Sequence, residues 1–442
     1  MSKPVCLVTA PVATRSGYGA HSRDIVRSLI KLDIYDVKIW SVRWGNCPMN
    51  ALTADDPNDK MIIDRLLQQP ELPNQPEIGI SVLVPNEFQP IAKYNIGITA
   101  GLECTAVPAD WVQGMNRMNM NIVPSNFVSD VFKACVFDVK DDKTQQIKGQ
   151  LKTEKPIEVL FEGTDTNIFK KTKEFSKEFV NQMKNIEESF NFLYVGHWLS
   201  GNIGEDRKDT GMMLKVFLET FKNIKKKPGL IMKTSGAGFS ILDREDILKK
   251  INTIKSTIKG DLPNIYLIHG DFTDEEMNEL YNHPKVKAHV NITHGEGFGR
   301  PLLEASISEK PIIASNWSGH IDFLSKGLSN LISGGLVDVP KSSFPKNMYV
   351  QGSQWFTANY QETSAVMKGV FSSYKKYTLN AKKLGMVNKS KFSLDAMTRE
   401  LGKILDKYVP EFPKEVELKL PKLKKVGDTA PSKITLPKLK KV

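Results

Sequence analysis

The sequence predicts an α/β protein made of two similar halves, each built on a parallel sheet, and three observations carry that expectation. Short apolar runs alternate with loops and amphipathic helical stretches, the order that strands and crossover helices require. The alternation begins at Pro4 and starts afresh near Asn191. At 442 residues the chain is long enough for two domains with full cores.

In order, PVCLVTA (Pro4 to Ala10) reads as a buried strand, PVATRSGYG as a loop and AHSRDIVRSLIKL as a helix with Ile25, Leu29 and Leu32 on one face. DVKIWSV (Asp36 to Val42) supplies the next strand. Further strands are expected at Gly79 to Val84, Tyr94 to Thr99, Met120 to Val123 and Ile157 to Phe161. In the second half FNFLYVG, GLIMKTS and NIYLIHG read as strands, with TGMMLKVFLETFKNI and DEEMNELYNH as helices. KAHVNI (Lys287 to Ile292) is a short buried strand, Pro301 sits where a helix favours its first residue, and Glu304 is expected in the first helical turn. Pro311 stops that helix and PIIAS (Pro311 to Ser315) forms the next strand. After Ile321 the pattern weakens to a loop at Ser333 to Gly335, a helical run from Gln361 to Lys383, and a last helix from Leu394 to Val409 before Pro410.

An apolar fraction of 40% suits a globular protein, and no run of about 18 uncharged apolar residues offers a membrane-spanning helix. The opening apolar stretch is too short, and too soon followed by Arg15, for a signal peptide. Cys6, Cys47, Cys104 and Cys135 show neither close pairing nor metal spacing, which predicts reduced thiols in a cytosolic protein. Basic residues outnumber acidic ones, 61 against 50, and the excess is concentrated at the end. Leu418 to Val442 holds eight lysines and one acid, Asp428, and repeats LPKLKKV at Leu420 to Val426 and Leu436 to Val442. Such a segment is either a solvated tail or a motif for an anionic surface or a partner protein: a membrane, a nucleic acid or an acidic groove.

The most informative stretch is THGEGFGRPLLEASISEKPIIAS, Thr293 to Ser315. Gly295, Gly297 and Gly299 leave backbone N–H groups uncovered beside a helix N-terminus, which favours an anion or a hydroxyl-rich ligand. Glu296 and Glu304 then reach one cleft at the C-terminal edge of a parallel sheet, where open α/β folds bind ligands. The plain alternative is a turn carboxylate and a dipole-compensating acid. EGFGRPLLEAS followed by PIIAS resembles the E-x7-E segment of retaining GT-B glycosyltransferases, family 4 in particular. That resemblance implies two Rossmann-like domains facing each other across a cleft. Residues 1–190 would form an acceptor domain, 191–375 a nucleotide-sugar domain, 376–409 helices returning to the first domain, and 410–442 a basic tail.

Other stretches resemble the same family in its own order. TRSGYGAHSRDI resembles the glycine-rich turn of the first domain, where Gly17 and Gly19 would keep side chains out of the cleft. AGLECTAVPADWVQGMN resembles the acidic loop that places Glu103 near the acceptor. IVPSNFVSDVF matches the PS-x-F helix entry, with Ser125 as cap, and VLFEGTDTNIF matches the G-x-D-x-x-x-F entry to the interdomain linker. YVGHWLSGNIGEDRKDTGMML resembles the strand, loop and helix that hold a donor diphosphate with an Arg and a Lys. Lys208 aligns with that lysine. His197 occupies the arginine's usual place, so either Arg207 or His197 serves the diphosphate.

By the same resemblance Glu304 would bind the donor's ribose, and Glu296 with the loop of Gly297, Phe298 and Gly299 its sugar ring. Arg300 stands where the family has a small or aliphatic residue, and either reads an anionic sugar or bridges at the cleft rim. The implied enzyme is a retaining hexosyl- or pentosyltransferase that uses a nucleoside-diphosphate sugar as co-substrate and needs no cofactor. The absence of a D-x-D triplet points to no metal. The acceptor is a glycan or lipid-linked sugar, or else a hydroxymethylated base in DNA. SGYGAHSRDI and WGNCP resemble phage-borne members, which would act in the host cytoplasm. A non-catalytic GT-B scaffold is the third reading, and a basic tail resting on a membrane would make the protein peripheral.

Overall fold

The computed structural model describes residues 3–413 apart from 71, 142, 200, 237, 344–347 and 349. The LPKLKKV repeats therefore lie outside the described residues.

The first half alternates as expected: β1 (Val5–Ala10), α1 (Gly17–Leu32), β2 (Asp36–Ser41), α2 (Pro57–Ile63), β3 (Ile78–Val82), β4 (Tyr94–Ile98), α3 (Ala109–Arg117), β5 (Met120–Val123), α4 (Asn126–Ala134), β6 (Val136–Lys140), β7 (Ile147–Lys152) and β8 (Ile157–Val159). Six of these strands form a parallel sheet in the order β2-β1-β3-β4-β5-β8. Successive residues of β1 such as Leu7 and Val8 point to opposite faces and are 4% and 0% exposed, so the sheet is covered on both faces and this strand reads as a continuous apolar run. Helix α1 begins where the Ser16 side chain accepts from the Gly19 N–H and ends at Asp33 in the left-handed region, φ 56°. Ile25, Val26 and Leu29 point inward.

After α5 (Lys177–Met183) the second half repeats the plan with β9 (Asn191–His197), α6 (Thr210–Phe221), β10 (Gly229–Ser235), α7 (Ile241–Ser256), β11 (Ile265–Ile268), α8 (Asp274–Asn282), β12 (Val286–Asn291), α9 (Arg300–Ile307), β13 (Ile312–Ser315) and β14 (Asn330–Ile332). Its parallel sheet runs β11-β10-β9-β12-β13-β14. The strand order reverses between β9 and β12, which opens a crevice beyond their carboxyl ends. The antiparallel pair β15 (Gly334–Asp338) and β16 (Gln354–Ala358) follows, then α10 (Tyr360–Ser372), α11 (Tyr374–Lys391) and α12 (Leu394–Tyr408).

Several local expectations need correction. The antiparallel hairpin β6–β7 was not foreseen, because its faces are largely exposed and show no apolar alternation. Helix α7 was missed, since only Ile247, Ile251 and Ile254 of its sixteen residues are buried and the apolar stripe is thin. The glycines of Ser333 to Gly335 open a strand, not a loop. The helical run expected from Gln361 to Lys383 breaks at Ser373 into α10 and α11.

The returning helices separate. Helix α11 packs on α9 of the second half, where Gly385 lies so close that an added Cβ would meet the Ser306 carbonyl at 2.7 Å, and Asn388 Nδ2 donates to Ser306 Oγ at 2.9 Å. Helix α12 packs on α1, with the Ser28 and Thr398 hydroxyls 2.8 Å apart. The chain passes between the halves near Thr164 and again near Phe392. These two passages are laced together: the Thr164 N–H donates to Phe392 O and the Leu394 N–H to Thr164 O, both at 2.9 Å.

Candidate active site

The site grows from two loops of the second half that leave neighbouring strands at the reversal point. Strand β9 ends at His197 and the loop after it carries Arg207 and Lys208; the loop after β12 carries Glu296. Backbone bonds lock them together, since the Arg207 carbonyl accepts from the His294 N–H at 3.0 Å and from Thr293 Oγ1 at 3.1 Å. Asp206 accepts from the Thr210 N–H at 3.0 Å, capping α6 and fixing Arg207 and Lys208 just before it. Gly299 turns into α9 with φ 94°, a conformation that favours glycine. Arg300 is the first helical residue and Pro301 the second, so Glu304 lies one turn in and not in the first turn. The helix ends at Ile307, short of Pro311.

Charges of both signs meet here with little water. Glu296 and Glu304 are 6% and 8% exposed. Lys208 Nζ donates to Glu296 Oε1. Arg207 Nη1 reaches Glu103 of the first half at 2.5 Å and stands 3.9 Å from Glu296 Oε2. Arg300 Nε donates to Glu304 Oε1 at 2.8 Å while its Nη1 pairs with Asp24 on α1. Tyr281 Oη donates to the other oxygen of Glu304 at 3.3 Å. Burial works against the Glu296 charge, but Lys208 and Arg207 outweigh it and the pKa is lowered. For Glu304 burial wins and the pKa is raised to about 7 despite Arg300.

His197 shares Ser235 Oγ at 3.2 Å. The residue is exposed, and partial desolvation at the cleft mouth, then the charges of Lys208, Arg207 and Lys233, lower its pKa. A ring held neutral among three cations is a hydrogen-bonding group and not a fixed positive charge.

The two halves touch through the glycine loop. An added Cβ on Gly295 would meet Glu103 O at 2.5 Å and one on Gly297 would meet Ala100 O at 2.4 Å. Ser125 does more than cap α4, because its hydroxyl donates to Gly297 O at 2.6 Å across the cleft. Phe298 turns its ring away into the core against Phe323, 5.0 Å between centroids, and leaves only its backbone to the cleft. Gly19 is needed for loop packing, since a Cβ there would meet Thr14 O at 2.2 Å, whereas Gly17 has nothing within 4 Å.

Arg300 bridges the halves, from Glu304 on its own helix to Asp24 on α1. The site also gathers residues that sequence reasoning missed. Asp24 lies within a stretch that reads simply as a helix, and its burial to 3% exposure, beside the polar residues His21 and Ser28, is visible only after folding. Glu162 precedes Gly163 in the VLFEGTDTNIF stretch, which resembles only the entry to the interdomain linker. It faces Arg300, Asp24, Glu296 and Glu304, and burial raises its pKa to about 7. Tyr18, between Gly17 and Gly19, stacks on Trp44 at 4.0 Å and accepts from the Ala100 N–H at 3.0 Å, fixing the first-half wall.

The arrangement brings the cations Lys208 and Arg207, the carboxylates Glu296 and Glu304 and a row of backbone amides to one crevice, suited to a ligand with both anionic and hydroxyl groups. No protein-family model matches the chain, and no curated protein matches it in sequence. Solved structures do match in shape. HepE from Anabaena, in complex with UDP and glucose, superposes with a TM-score of 0.60 at 12% identity, covering 91% of this chain and 100% of that one. A sucrose-phosphate synthase from Thermosynechococcus elongatus gives 0.59 at 12% identity, covering 92% and 98%. A glycosyltransferase from Rickettsia africae gives 0.58 at 14%, covering 93% and 100%. With two parallel six-stranded sheets and these structural neighbours over more than nine-tenths of its length, the chain has the GT-B fold.

Proposed function

We propose that the protein is a glycosyltransferase that moves a sugar from a nucleoside-diphosphate donor to an acceptor hydroxyl, with retention and without a metal. The observation that carries this reading is the meeting of Lys208, Arg207 and Glu296 at the strand-order reversal, within reach of the glycine-loop amides. Residues 191–375 would hold the donor and residues 1–190 the acceptor, a glycan or lipid-linked sugar approaching Glu103.

Breaking the bond from sugar to diphosphate moves negative charge onto the leaving phosphate while the sugar becomes oxocarbenium-like. Lys208 and Arg207, released from Glu296 and Glu103, would take up that charge, Lys as a point charge and Arg as a bidentate fork. Glu296 and the amides of Gly297 to Gly299 would hold the sugar hydroxyls, and Glu304 the ribose. The close approach of the glycine loop to Ala100 and Glu103 would help to exclude water and limit hydrolysis of the donor. HepE, whose structure holds UDP and glucose, lends the same class of ligand to this reading.

A thermal-shift panel of UDP-, GDP-, ADP- and CMP-sugars tests it. One nucleotide should stabilise the protein, by about 2.7 kcal/mol at 100 times its Kd, and Glu304→Ala should abolish the effect. Lys208→Ala should then cut turnover by about 10²–10³, and EDTA should leave turnover unchanged. No shift with any nucleotide sugar would return the reading to a non-catalytic scaffold.

A further inference from the structure

Helix α11 presents a surface that the proposed reaction does not use. Its inner face is made of Ala381, Leu384, Gly385 and Asn388, all buried against the second half. At 3.6 residues per turn, Leu379 and Met386 fall on the opposite ridge, and they are 60% and 68% exposed. Lys375, Lys382 and Lys389 run along one side of that ridge, Lys376 and Lys383 along the other, and all five are exposed. The helix contains no acid, and among the described residues none of these lysines pairs with a carboxylate. Two large apolar side chains thus stand in water on the crest of a row of unneutralised cations.

We infer that this face of α11 is a docking surface for a bilayer rich in anionic lipid, with the lysines among the headgroups and Leu379 and Met386 inserted below them. A bare phosphate backbone would satisfy the lysines but offer nothing to Leu379 and Met386, whereas a lipid interface accepts both. Long lysine stems let the ammonium groups stay at headgroup level while the ridge sinks. The inference is independent of the proposed reaction. Its position has a consequence all the same, because α11 packs directly on α9, the helix of Arg300 and Glu304. A docked bilayer would lie about one helix diameter, some 10 Å, from the candidate site's supporting helix.

The test is co-sedimentation of the full chain with phosphatidylcholine vesicles, with and without phosphatidylglycerol. The protein should partition onto the anionic vesicles and not the neutral ones. The triple variant Lys375→Glu, Lys382→Glu, Lys389→Glu should reduce that partition at least tenfold, and Leu379→Ser with Met386→Ser should do the same at unchanged melting temperature. Partition that survives the charge reversals would overturn the inference and assign binding to another basic segment, such as Leu418 to Val442. Partition that falls with the lysines but not with the apolar pair, together with displacement by duplex DNA, would overturn it in favour of a general polyanion site.

Discussion

Arg300 and Glu304, one turn apart on α9, are joined at 2.8 Å, and the same guanidinium reaches across the cleft to Asp24. One side chain therefore holds a candidate ligand group in place and ties the two halves together. Both carboxylates are buried, so removing Arg300 leaves Glu304 with only the Tyr281 hydroxyl at 3.3 Å and Asp24 with only Arg27 at 3.6 Å. Arg300→Met should destabilise the protein by ~3–5 kcal/mol, measured by urea unfolding, and Asp24→Asn in that background should restore part of the loss. A change below about 1 kcal/mol, the range of an exposed pair, would show that the bridge does not hold the fold.

Glu162 and Glu304 each have a folded pKa raised to about 7, from the ordinary 4.5. Between those values the native state binds more protons than the unfolded chain, so their contribution to stability is lost as pH rises through that window. Glu162→Gln removes the cost of ionising one of them. The variant should match the parent at pH 5 and exceed it at pH 8 by about 1–3 kcal/mol. Thermal melts at the two pH values decide it; an equal shift at both would mean that Glu162 ionises freely.

Gly297 and Gly17 make opposite demands. A methyl on Gly297 would press on Ala100 O across the cleft, whereas one on Gly17 would meet nothing. Gly297→Ala should therefore lower stability by about 1–3 kcal/mol and enlarge the radius of gyration in small-angle scattering, while Gly17→Ala should change neither. A compact Gly297→Ala protein with the parent's melting temperature would show that the two loops part without cost.

The two-sheet plan was legible because buried parallel strands are unbroken apolar runs, as at VCLVTA and FLYVG, and because Gly299 and Pro301 mark a helix start. Glu296 could be singled out because it sits beside such a marker, and Lys208 only because its loop resembles one that holds a diphosphate; nothing local says that the two touch. What sequence could not supply lies in contacts between distant segments. Asp24 and Glu162 look like ordinary acids until α1 and the segment after β8 are brought against α9. Phe298 reads as a cleft residue beside its glycines, but the core around Phe323 claims its ring. Exposed elements were lost for the opposite reason: the β6–β7 hairpin and α7 bury too little to leave a periodic signature.

The lacing of Thr164 to Phe392 and Leu394 has a mechanical meaning. Because both passages of the chain run side by side at one edge, they form a single double-stranded hinge, and any gaping must swing about that edge like a book about its spine. Cutting the backbone in one passage would not set the halves free, since the other still binds the covers.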